Sequence, residues 1–576
     1  MSRACDDAGV KIDENYIERM KIMRRWMAGM LAAAVCMTMT GGLNAEAAAK
    51  PKLSKASLSL TGKGTSKTLK VKKASGAKLT WKSSNKKVAT VKKSGKYGAK
   101  VTAKAKGKAV VSCKVKKGKK TYTLKCKVTV KTKAISQPKS TPIVNTTPTQ
   151  TAAPTAQAPT TAPTATPGDQ SGTGTPDLTS DSILQRYNGI FTYMGSSLNY
   201  DGWRGNKDLQ DAATLNFVKK HFNSFTLEDE MKPDTVLGGG WEGPTMLSVD
   251  EARARGYIIP DNYTDSQVPQ LKFEVLDKVL EAAHKNGLKM RAHTLMWHQQ
   301  TPSWFFTARM TNGGKNATPE TMDGRLEFYV RTVMKHMMDK EKQLTGENGS
   351  IIYAWDVVNE YVHRDNQPSS KSWADVYGDM GLQPTYVKKA FELAYDMLKQ
   401  YGVQDKVVLF NNDYDTYFCA DDIVSLVNFI NEGEETKICR GIGMQTHVDI
   451  GRPTLAEYGA ALDKFLATGL EVQITEMDVT INYSFEDETF VYKDKGETDQ
   501  DQAKFVGDLM RLIVTKHKNR NTSVNPKGVT GVTIWGLIDA MSWRKEMKPL
   551  LFGSSINDPK PSFYSFLDAA KAWTEN

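Results

Sequence analysis

The chain has 576 residues and a formal charge of +14 at pH 7, with 40% hydrophobic and 25% charged residues. That is a globular composition, too long for one domain of ordinary size. Residues 50–133 hold 28 Lys, no Arg and no acidic residue, so a segment of +28 leaves −14 for the rest of the chain. The net charge therefore averages a very basic module and an acidic one. Nucleic acid is not expected as a partner, because the basic part lacks the Arg usually used for bidentate base contacts.

The N-terminus reads as an export signal. Lys21, Arg24 and Arg25 form a positive start, Trp26 to Met39 an apolar core, and Ala45-Glu46-Ala47 or Ala47-Ala48-Ala49 a small-residue cleavage site. Residues 1–19 are of mixed charge and unlike a signal, which makes Met20 the expected start. The apolar run is too short for a membrane span, so the mature form is expected to be secreted and to have none. Residues 1–49 form this first region.

Residues 50–133 alternate polar and apolar at period two, as in Leu58-Ser-Leu60, Val88-Ala-Thr-Val91 and Lys125-Cys-Lys-Val-Thr-Val130, with Gly-containing turns between. This predicts a small all-β sandwich. The stretch Leu79-Thr-Trp81-Lys-Ser-Ser-Asn85-Lys-Lys-Val88-Ala-Thr-Val91, followed by Ala99 to Gly107, resembles bacterial immunoglobulin-like domains. Lysines on the outward positions give two readings, attraction to an anionic cell-wall polymer or a solvated spacer. Cys113 and Cys126 lie in runs that would face each other roughly as a hairpin, which suits a disulfide outside the cytosol. For Cys419 and Cys439 both readings, paired or free, stay open. Residues 134–180, rich in Thr, Pro, Ala and Gln, read as a semi-extended linker.

From residue 181 to 576 strand-like runs alternate with amphipathic helices. The strands are expected at Ile190–Met194, Ser224–Leu227, Lys289–Trp297, Tyr353–Asn359, Val407–Asn411, Ile442–Thr446, Glu471–Thr475 and Val529–Trp535. Eight such units make an α/β fold, a (β/α)8 TIM barrel, whose functional groups gather at the C-terminal strand ends. Two of these runs stop at a glutamate, Glu360 and Glu476. Paired carboxyl groups across that face are the equipment for cutting a glycosidic bond.

The barrel resembles glycoside hydrolase family 10, the endo-1,4-β-xylanases, over its whole length. The resemblance is carried by Arg291-Ala-His293-Thr-Leu-Met-Trp297-His298, Trp355-Asp-Val-Val-Asn359-Glu360, Gly443-Met-Gln445-Thr-His447, Ile474-Thr-Glu476-Met-Asp478, Thr533-Ile-Trp535-Gly and Ser542-Trp543-Arg544. It implies retaining hydrolysis of xylan, with Glu476 as nucleophile and Glu360 as acid and then base. It further implies that His447, with Asp478 beside it, donates to the nucleophile and that Asn359 binds the sugar 2-hydroxyl. Glu228, Asp229, Lys232, His293, Gln300, Trp535 and Trp543 would line the glycone side. Gln445 would face the centre, Trp297 would crowd Glu360, and Tyr414 would serve the leaving-group side. No cofactor is implied, and metal is not expected, since the histidines lack HExxH spacing.

Two positions depart from the family pattern: Asp229 and Asp415 stand where Asn is usual. An aspartate only accepts, where Asn also donates. The segment 237–270 is long for a strand-to-helix connection. Two other readings stay open, a sister barrel acting on β-glucan or mannan and a non-catalytic glycan-binding protein.

Overall fold

The computed structural model describes residues 51–54, 57–61, 66–72, 77–94, 97–117, 120–131, 174–202, 204–238, 243–364, 372–486 and 489–575. The signal region and nearly all of the linker lie outside them. The chain divides into two compact units, residues 1–159 and 160–576.

The N-terminal unit contains two four-stranded sheets. One runs Lys52–Leu53, Ser66–Lys72, Gly98–Ala103, Ala89–Ser94, and the other Ser57–Thr61, Lys120–Lys131, Gly107–Lys117, Lys78–Ser83. Leu58, Leu60, Val111, Cys126 and Val128 of the second sheet pack with Leu69, Val101 and Ala103 of the first. The period-two alternation thus builds the expected sandwich, with apolar residues turned between the sheets. The cysteine pairing is corrected: the register sets Cys113 opposite Leu124 and Cys126 opposite Val111. The two are offset by one diagonal step, and both are free, as are Cys419 and Cys439.

The second unit is a closed barrel. Its strands are β1 (Tyr193–Leu198), β2 (Ser224–Leu227), β3 (Lys289–Trp297), β4 (Ile352–Asn359), β5 (Val408–Asp413), β6 (Gly441–Met444), β7 (Glu471–Thr480) and β8 (Val529–Ile534). Each is parallel to its neighbours, and β8 pairs back to β1. Helices α1 (Ala212–His221), α2 (Glu274–Asn286), α3 (Pro319–Thr345), α4 (Thr385–Gln400), α5 (Ala420–Asn431), α6 (Leu455–Ala467), α7 (Asp499–Lys518) and α8 (Pro561–Ala569) follow the strands in turn. Every residue of β4 and β8 is buried, the pattern of parallel strands covered on both faces. Among the described residues no helix is long and apolar enough to cross a membrane.

Two features differ from expectation. The first strand begins three residues later than predicted. Ile190 and Phe191 are buried, but in a turn whose amides bond back to Tyr187. The strand itself is poor in apolar residues because space is tight: a Cβ on Gly195 would stand 2.8 Å from Ser224 Oγ. The 237–270 connection carries an antiparallel pair, Met246–Ser248 with Gln267–Pro269, and a short helix, Val249–Ala254.

Inside the barrel Arg291 and Asp356 are buried together. Arg291 Nε donates to Asp356 Oδ2 at 3.1 Å and its Nη1 to Gln473 Oε1 at 2.9 Å. A buried charge pair persists only when its remaining groups are hydrogen-bonded in this way.

Candidate active site

Glu360 follows the last residue of β4 and leaves the strand with a left-handed backbone, φ 60 and ψ 33. Such a conformation is uncommon for a residue with a side chain and clusters at functional sites. Glu476 lies within β7, whose pairing with β8 shifts register between Ile474 and Met477. Both carboxyls are buried, 7% and 5% exposed.

Their partners differ. Glu360 Oε2 accepts from Trp297 Nε1 at 2.9 Å and Oε1 from Gln445 Nε2 at 3.1 Å. Burial pushes its pKa up to about 7, and the nearby Asp413 and Glu476 charges push the same way against those two hydrogen bonds. Burial acts on Glu476 as well. There it is overcome by hydrogen bonds from His447 and Asn412, with electrostatic help from His293 and His447, and the pKa falls to about 2. Asn412 Nδ2 reaches Glu476 Oε1 at 2.7 Å, and His447 Nε2 stands 3.2 Å from Oε2. Asp478 Oδ2 lies 2.9 Å from the other ring nitrogen, His447 Nδ1. Burial disfavours the imidazolium, but Asp478 and Glu476 raise its pKa to about 9. Asp478 is itself held by Trp543 Nε1 at 3.0 Å and Arg544 Nη1 at 3.3 Å.

One amide network joins the carboxyls. Gln445 Nε2 and Asn412 Nδ2 both donate to Asn359 Oδ1, at 3.1 and 3.0 Å. With its oxygen occupied twice, Asn359 keeps its NH2 group for a ligand. Asn412 Oδ1 accepts from Thr475 Oγ1 at 2.6 Å. Gly443 makes room for this carboxamide, since a Cβ there would stand 2.3 Å from Asn412 Oδ1.

The predicted glycone residues lie in or after β2, β3 and β8. Lys232 Nζ lies 5.1 Å from the Trp297 ring centre and 3.7 Å from Asp229 Oδ1. Burial raises Asp229 to about 6 against the pull of Lys232. Glu228 accepts from Asn199 Nδ2 at 3.1 Å and pairs with Arg204. The Gln300 backbone carbonyl accepts the Asp234 N–H, and the Gln300 side-chain Nε2 donates to Asp234 Oδ2 at 3.5 Å. His293 Nδ1 stands 3.0 Å from Asp356 Oδ2. Trp535 is 6% exposed, its ring meeting those of His293 and His447. Trp543 is 37% exposed, its ring meeting that of His447 and lying under the Arg544 guanidinium, 4.4 Å from the ring centre. His298, which directly follows β3, is buried with neither ring nitrogen hydrogen-bonded. Burial lowers its pKa to about 4.

Tyr414 stacks on His363, ring centres 4.0 Å apart. His363 Nδ1 sits 2.6 Å from Asp413 Oδ1, and its pKa is raised by that pairing against the opposing effect of burial. Asp413 and His363 were not singled out in the sequence, nor were Asn412 and Arg544 as members of the site. The available signal was the polar run Asn411-Asn412-Asp413 closing an apolar strand. Among the described residues no group of three or more His, Cys, Asp or Glu is placed to hold a metal ion.

Two buried carboxyls, one protonated near neutrality and one ionised, can divide acid and nucleophile work between them. The sequence signature of Glycosyl hydrolase family 10 matches residues 182–569. Endo-1,4-beta-xylanase A of Butyrivibrio fibrisolvens is 38% identical over 396 residues, covering 69% of this chain and 85% of the relative. Endo-1,4-beta-xylanase A of Thermotoga neapolitana is 33% identical over 341 residues, 58% of this chain but only 26% of that protein. Among solved structures, the N-terminal endo-1,4-beta-D-xylanase 10B modules of Clostridium thermocellum, complexed with xylohexaose, align with a TM-score of 0.52 at 26% identity, covering 67% of each chain. The chain belongs to glycosyl hydrolase family 10.

Proposed function

We propose that the protein is a secreted endo-1,4-β-xylanase that hydrolyses internal β-1,4-xylosidic bonds of xylan with retention of configuration. The observation that carries the reaction is the opposed protonation of Glu360, about 7, and Glu476, about 2, within one hydrogen-bond network. The substrate rests on family membership and on the named relatives. Export rests on the sequence of residues 20–49 and wall association on the charge of residues 50–133.

In the first step Glu476 attacks the anomeric carbon while Glu360 gives its proton to the leaving oxygen, forming a glycosyl ester on Glu476. The Asn359 NH2 group donates to the 2-hydroxyl, a contact that strengthens in the transition state. In the second step the ionised Glu360 takes a proton from water, whose oxygen attacks the anomeric carbon and releases Glu476. His447, held cationic by Asp478, keeps Glu476 a carboxylate before attack and stabilises it again as leaving group.

The deciding experiment is reducing-sugar release by the mature protein from xylan, mannan and soluble cellulose, with Glu476→Ala alongside. Release from xylan, lost in the variant, is expected. Release mainly from mannan or cellulose would overturn the substrate assignment, and an active Glu476→Ala the nucleophile.

A further inference from the structure

The outer face of one sheet of the N-terminal sandwich is charged in a way that folding does not require. In the strands Lys78–Ser83, Gly107–Lys117 and Lys120–Lys131, alternate residues point inward: Leu79 and Trp81, Val111, Cys113 and Val115, Leu124, Cys126 and Val128. The opposite positions hold Lys78, Lys82, Lys114, Lys116, Lys125 and Lys127, all exposed. Lys78 is paired directly with Lys116, as Lys92 is with Lys100 in the other sheet, and only this face adds Lys114 and Lys125 on neighbouring strands, facing Thr80, Thr123 and Ser112. Like charges directly opposite are destabilising, and residues 50–133 contain no acidic side chain to relieve them. Lysines two apart on a strand stand ~7 Å from one another, on strands about 4.8 Å apart. The face carries no ring on which a sugar could stack, because Trp81 and Tyr122 belong to the inward set. It carries no Arg for bidentate recognition of carboxylates or bases.

We propose that this face docks a linear phosphodiester polymer of the cell envelope, read by charge alone, and so tethers the barrel to that surface. The inference rests on the wall association proposed above and assigns it a surface and a chemistry. Ammonium groups suit phosphate as point charges. A regular two-dimensional array tolerates a flexible chain in many registers, and its retention must fall with salt.

The test uses the full mature chain and walls prepared with or without their phosphodiester polymer, sedimented between 20 and 500 mM NaCl. Lys78, Lys114, Lys116 and Lys125 are changed together to Thr, which suits an exposed strand position. A control changes Lys52, Lys70, Lys92 and Lys100 of the other sheet. Expected is at least tenfold weaker retention for the first set, under threefold for the second, and little retention on stripped walls or at 500 mM NaCl. Equal losses from both sets would overturn the assignment to one face. Undiminished retention on stripped walls would overturn the phosphodiester ligand, as would tighter binding to duplex DNA in competition. Xylan turnover, followed in parallel, reports separately on the barrel reaction.

Discussion

Glu360 and Glu476 end up in the same barrel mouth, hidden to almost the same depth, 7% and 5% exposed, yet burial leaves one protonated near neutrality and the other fully ionised. Desolvation disfavours the charge on both. What separates them is the company each keeps. Glu360 has two neutral donors, an indole and a carboxamide, and an aspartate nearby. Glu476 has a carboxamide and an imidazole that Asp478 holds cationic. Trp543 and Arg544 fix Asp478 in turn, so the low pKa of the nucleophile is built two residues away from it. Depth alone says little about protonation, and the charge of the hydrogen-bond donor decides it.

Breaking the comparison at its ends gives the largest effects. Glu476→Ala removes the atom that bonds to the sugar, and kcat on xylan should fall at least ~10⁴-fold with the melting temperature nearly kept. Activity within tenfold of the unaltered enzyme would refute the role. Glu360→Ala should cost on the order of 10³-fold on xylan, where the leaving oxygen needs a proton. On an aryl xyloside with an acidic phenol the first step should be nearly spared, while breakdown of the glycosyl-enzyme slows and the intermediate accumulates as a burst of phenol. Equal losses on both substrates without a burst would count against its acid role. His447→Gln acts one step further out. Losing a cationic donor should lower kcat/KM by about 10²-fold. It should also raise the pKa of Glu476, so that the acid limb of the pH profile moves up; an unmoved acid limb would reduce His447 to a packing residue.

Much of this was legible in the chain itself. Continuous apolar runs ending in Asn-Glu or Thr-Glu mark strands buried on both faces that deliver a carboxylate to the rim, and seven of the eight strands begin within one residue of where the pattern puts them. The first strand was displaced because Gly195, Ser196 and Ser197 are small for lack of space, which hydrophobicity cannot register. The donors that tune the carboxyls were harder to see. Asn412, on β5, reaches across to β4 and β7, and Asp413 reaches His363 fifty positions away. Such couplings follow from barrel closure and leave no local period in the sequence. The offset of Cys113 from Cys126 likewise depends on hairpin register, which their shared hydrophobic face does not fix.

The finest test sharpens the comparison from the acid side. Asp413 is fully buried beside Glu360 and helps keep it protonated. Asp413→Asn keeps the shape and removes the charge. His363, whose pKa is raised chiefly by Asp413, then has two courses. If it stays cationic, Glu360 gains an uncompensated positive neighbour; if it loses its proton, an anion and a cation leave together, and of the two Asp413 acts more strongly on Glu360. Both courses lower the Glu360 pKa, the first by more. Since the first step needs protonated Glu360, kcat/KM falls as pH rises through about 7 in the parent, and this limb should move down by about 1 unit in the variant. His447 titrates near 9 and lies beyond that limb. The pH dependence of kcat/KM on xylan, measured for both proteins, decides it: an alkaline limb that stays or rises would mean that burial against Trp297 alone sets the acid, and that the Asp413–His363 pair serves only to hold Tyr414 in place.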